Sequence, residues 1–131
     1  MRFRQIKYLF LLLLLLTACN NFKSALRRHN HLSDSEKLLI TSTFIEATRL
    51  RLIGDVENAT RLYNSIIEQD KMHDASLYEL ARLKTASGET NEAIELLKTA
   101  IKVDPQNIWY KLAYADAFEK IGKHKEAADL Y

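Results

Sequence analysis

The chain has 131 residues, room for one domain or at most two, with nineteen Lys and Arg against seventeen Asp and Glu. Three Gly, one Pro and one Cys exclude a disulfide scaffold, and so few breakers beside many Ala, Leu, Glu and Lys make an all-α domain the expectation. Removal of the first 18 residues takes away Arg2, Arg4 and Lys7, leaving sixteen cations against seventeen acids, a near-neutral balance that argues against a nucleic-acid partner.

Met1 to Lys7 carry three cations and no acid, and Tyr8 to Leu16 are unbroken apolar residues. Thr17, Ala18 and Cys19 follow. This is the layout of a secretory signal, and its apolar run is about half of the roughly 20 residues a spanning helix needs. The four residues Leu16-Thr17-Ala18-Cys19 resemble the lipobox of bacterial lipoproteins. The resemblance implies cleavage after Ala18 and a diacylglyceryl group on Cys19, whose thiolate is the nucleophile such chemistry requires. Two or three acyl chains, at about 0.8 kcal/mol per buried CH2, anchor where one would only dwell. Asn20 after the cysteine implies, by the family's sorting rule, the outer membrane facing the periplasm. In an organism with one membrane it implies the outer side of that membrane.

Residues 19–33 form the expected tether. Lys23, Arg27, Arg28, His29 and His31 could collar anionic headgroups, but a solvated linker is the simpler reading. Ser33-Asp34-Ser35-Glu36 fits a capping box before Leu38, Leu39 and Ile40, so the folded part is expected over 34–131.

From there the chain repeats. Ala47, Ala81 and Ala115 are 34 residues apart, as are Gly54, Gly88 and Gly122, then Ala59, Ala93 and Ala127, then Tyr63, Leu97 and Tyr131. Four coincident series at this period resemble the tetratricopeptide (TPR) repeat. The resemblance implies an α-solenoid of antiparallel helix pairs in a right-handed superhelix, with repeats at about 40–73, 74–107 and 108–131.

The residue types have their own physical reading. Ala81 and Ala93 suit a close helix crossing, Gly88 suits a left-handed helix end, and Thr90 is expected to cap the next helix. Ala93, Leu97, Ala100 and Ile101 make one apolar stripe, and Asp104-Pro105 stops it. Lys84 departs from the family's preference for a large apolar side chain. In the first repeat Glu46, Ile66 and Lys71 stand where Leu, Ala and Pro are usual. The third repeat stops at its 24th position with Leu130 and Tyr131 on the buried stripe, so further repeats or another domain are expected to follow.

In TPR proteins the first helices line a concave, partner-binding face. By position this implies Thr41, Phe44, Thr48, Arg51 and Leu52, then Ala75, Tyr78, Arg82, Thr85 and Ala86. The third repeat adds Trp109, Leu112, Asp116, Glu119 and Lys120. Phe44, Tyr78 and Trp109 are the expected anchors, since aromatics dominate binding hot spots. Phe44 and Tyr78 could equally pack against neighbouring helices. The family's carboxylate clamp is absent, since its Lys and Asn positions hold Phe44, Thr48, Glu79, Trp109 and Ala113. No catalytic motif, metal-ligand spacing or phosphate loop appears. His73 and His124 read as solvated loop residues, and the acids as solvated helix faces. The expectation is a lipid-anchored adaptor for protein or peptide partners, without enzyme activity, cofactor, small-molecule substrate or nucleic acid. A docking arm for a catalytic domain beyond Tyr131 is the alternative.

Overall fold

The computed structural model describes residues 32–128, and the signal, Cys19, most of the tether, Leu130 and Tyr131 lie outside them. Six helices follow one another: α1 (Asp34–Leu52), α2 (Val56–Gln69), α3 (Asp74–Ser87), α4 (Thr90–Val103), α5 (Ile108–Lys120) and α6 (His124–Ala128). Each packs chiefly against its neighbours in sequence, with a lighter contact between α3 and α5. Among the described residues there is no strand, and no helix is long and apolar enough to cross a membrane.

The helix ends follow local chemistry. Ser33 opens α1 through the expected capping box: its Oγ accepts from the Glu36 amide, and Glu36 Oε2 accepts from the Ser33 amide at 2.8 Å. Leu32, placed in the tether from sequence, packs against the core around Ile40. Gly88 takes φ +88° and closes α3, with the Glu89 amide donating to the Lys84 carbonyl at 2.8 Å. Asp104 caps the end of α4 just before Pro105.

Three expectations need correction. Thr90 does not cap α4; it is the helix's first residue and is buried, and the capping position falls to Glu89, whose side chain makes no capping bond. Glu89 turns instead to Lys84, which also reaches Glu92 at 3.0 Å. That pairing accounts for a lysine where an apolar residue is usual: its head ties the α3 end to the α4 start. His73 is not a solvated loop residue, because its Nδ1 accepts from the Ser76 amide at 3.2 Å as the cap of α3 and its ring lies 5.4 Å from Phe44. Asp70, expected with the other acids on a solvated face, is buried, and its Oδ1 accepts from the Met72 amide at 3.0 Å, ordering the turn between α2 and α3.

The core runs along the stack as three linked clusters. Ala47, Ala59, Ala81, Ala93, Ala115 and Ala127 are all buried, as close crossings of paired helices require. Tyr63 and Leu97 fill the equivalent sites of successive pairs, and Ile66 is accommodated with no exposed surface.

Candidate functional site

The first helices of the pairs, α1, α3 and α5, bring together part of the set expected from sequence. A depression of about 350 Å³ is lined by Phe44, Ala75, Tyr78, Glu79, Arg82, Asn107, Trp109 and Tyr110. A second, about 180 Å³, continues along α3 and α5 with Arg82, Thr85, Ala86, Ala113, Asp116 and Lys120, over Leu97 of α4. Arg82 borders both.

Aromatic contacts shape the first depression. Tyr78 lies 5.1 Å from Tyr110, centroid to centroid, and the Arg82 guanidinium sits 5.6 Å above the Tyr78 ring. Phe44 is half-buried and packs 5.8 Å from Tyr63, so one edge of its ring serves the core and another the depression. Trp109 follows Asn107, whose Oδ1 accepts from the Trp109 amide at 3.1 Å, and its side chain is 63% exposed. A large aromatic held at a helix start and left in water is available to a partner at little conformational cost.

Glu79 is the electrostatic hub. Its Oε2 lies 3.1 Å from Arg51 Nε and 3.3 Å from an Arg82 nitrogen. The Arg51 contact is an ion pair without hydrogen-bond alignment, since Nε has no hydrogen-bond partner. Arg51 therefore joins α1 to α3. Thr48 exchanges a hydrogen bond with the Tyr63 hydroxyl at 3.1 Å, within the first hairpin. Thr48, Arg51 and exposed Leu112 line neither of these two depressions.

Tyr110 and Asn107 belong to the site and left no signal in the repeat. Tyr110 stands 34 residues after Ser76, so its register position carries no apolar series. The Tyr110 hydroxyl donates to Asp74 Oδ2 at 3.1 Å, tying α5 to the start of α3. Its ionisation is pushed well above the ordinary phenol range, first by burial and then by the Asp74 carboxylate. No group of three or more metal-ligating side chains occurs among the described residues. A larger depression of about 610 Å³ lies over α2, α3 and α4, with Asn64, Leu80, Lys84, Glu92, Glu95 and Leu96, and holds none of the groove residues expected from sequence.

Stacked helix hairpins with an aromatic and charged groove across their first helices define a protein-interaction scaffold. A family model described as tetratricopeptide repeat matches residues 53–107 and 84–131. The chain belongs to the tetratricopeptide repeat family. Two solved structures, a crystal structure of MamA protein and a crystal structure of MamA, share its fold with a TM-score of 0.66 and 21% identity. Each alignment covers 70% of this chain, against 50% and 53% of the other. The chain thus spans about half the length of the structures it matches.

Proposed function

We propose that this protein is a lipid-anchored adaptor that holds a segment of a partner protein against α1, α3 and α5. The observation that carries the reading is the meeting of Tyr78, Arg82 and exposed Trp109 around one depression. Aromatic and arginine side chains at a concave site are the commonest sources of binding energy. A helical or extended peptide fits such a groove by packing apolar anchors between the aromatics. The sequence Leu16-Thr17-Ala18-Cys19 supports the anchor, with lipid on Cys19, and Asn20 supports placement on the outer membrane facing the periplasm. The adaptor carries out no catalytic step and needs no cofactor; its role lies in envelope assembly or secretion complexes.

Crosslinked co-purification of the full-length protein from membranes tests both parts. Trp109→Ala with Tyr78→Ala should remove a discrete set of partners, each truncation weakening binding by about 2 kcal/mol. Retention of the same partners by the double variant would remove the groove from the account. Cys19→Ser should release the chain from the membrane fraction, and unchanged membrane retention would count against lipid anchoring.

A further inference from the structure

Among the described residues α1 packs against α2 and reaches α3 through Arg51, while its opposite face meets no other helix. Along that face Leu38, Ile45 and Leu52 recur every seven residues and are 71%, 64% and 71% exposed. Leu39 and Ile53 flank them and are exposed too. Soluble chains rarely leave so continuous an apolar patch in water unless it is an interaction surface. The polar residues between do little to interrupt it. Thr41 donates its hydroxyl to the Lys37 carbonyl at 2.8 Å, and Ser42 and Thr43 donate to the Leu39 carbonyl at 2.9 and 2.8 Å. Arg49 is folded onto Glu46 by two hydrogen bonds.

The stripe is close to symmetric about its centre. Leu38 precedes Ile45 by the interval at which Leu52 follows it, and Leu39 and Ile53 stand six before and eight after. A two-fold dimer needs a surface that complements itself in this manner. We infer that two copies of this chain pair antiparallel through α1, with the two-fold axis at Ile45. Leu38 then faces Leu52 of the second copy and Ile45 faces itself, with Leu39 and Ile53 on the flanks of the seam. Antiparallel pairing opposes the two helix dipoles and holds the two Arg49 positions about 12 Å apart along the axis. A parallel pair would stack Arg49 on Arg49 and align the dipoles. The five apolar side chains offer on the order of 500 Å² per copy, about 1,000 Å² in all, which reaches the area a specific interface needs. Phe44, Tyr78, Arg82 and Trp109 line a depression away from this stripe, so the dimer presents two grooves at once and gains by avidity. The pairing stands whether or not Cys19 carries lipid.

Single cysteines in the full-length chain test the geometry, with the parent protein, whose only cysteine is Cys19, as control. Oxidation of Ile45→Cys should give a disulfide-linked dimer above the parent level. Leu38→Cys alone should not, whereas Leu38→Cys mixed with Leu52→Cys should. Ile45→Glu, at an exposed position, should keep the helical content and convert dimer to monomer in light scattering. A monomeric parent, a dimer unaffected by Ile45→Glu, or self-crosslinking by Leu38→Cys alone would each overturn the proposal. So would a monomer whose flotation with phosphatidylglycerol vesicles is lost in Ile45→Glu, an outcome that assigns the stripe to a lipid surface.

Discussion

Tyr110 and Asp74 make a contact whose strength depends on pH. The folded protein holds the Tyr110 proton well above the value of 10.0 that the phenol takes in an unfolded chain. Above about pH 10 the folded state therefore binds more protons than the unfolded state, and stability falls as pH rises. Below that pH the contribution is fully present. Tyr110→Phe removes the hydrogen bond to Asp74, at a cost of about 1 kcal/mol near neutral pH. It also removes the proton linkage, so the alkaline limb of a stability–pH curve should be shallower by up to about 1.4 kcal/mol per pH unit. Denaturant unfolding from pH 7 to 11 measures both effects, and parallel curves for the two proteins would show that Tyr110 is not the group responsible.

At the scale of the helix pair, alanine size is the controlling quantity. Ala81 and Ala93 are fully buried within one cluster that also holds Leu97 and Ala117. Ala93→Leu would push α3 and α4 apart and should destabilise by about 1–3 kcal/mol in thermal or denaturant melts. Ala86→Leu, at an exposed position of the same hairpin, should change stability little, and similar losses for both would mean that the crossing is not what the alanine protects. These crossings were legible in the sequence because small residues recur at one period, and so were the glycine turn at Gly88 and the capping box at Ser33. The other helix starts were less legible. His73 caps α3 with a ring nitrogen, Glu89 leaves its capping role for Lys84, and buried Asp70 folds a turn. Each outcome is decided by competition among neighbouring donors and acceptors, which leaves no periodic trace. The candidate groove was legible at Tyr78, Arg82 and Trp109 through repeat position. It was illegible at Tyr110, whose place in the repeat carries no series, and the hydroxyl contact of Thr48 with Tyr63 was equally beyond the repeat pattern.

At the scale of the stack, nearly all packing among the described residues is between consecutive helices, so stability is close to a sum of hairpins and their interfaces. The pair α3 and α4 is packed on both sides, by α2 and by α5, whereas α1 rests on α2, and α6 on α5. Local opening should therefore cost more in α3 and α4 than in α1. Amide hydrogen exchange on the full-length protein, at chain concentrations too low for pairing, should show slower backbone amides within 74–103 than in α1. Equal protection in α1, α3 and α4 would mean a single cooperative unit and would contradict the additive picture. Pairing through α1 adds a second dependence, because a dimer protects only the helix it buries and does so by mass action. Raising the chain concentration should slow exchange in α1 while leaving α5 and α6 unchanged. Exchange in α1 that is independent of concentration, below the point where dimer is detected in solution and above it, would separate α1 from any self-association and leave its apolar stripe to another occupant.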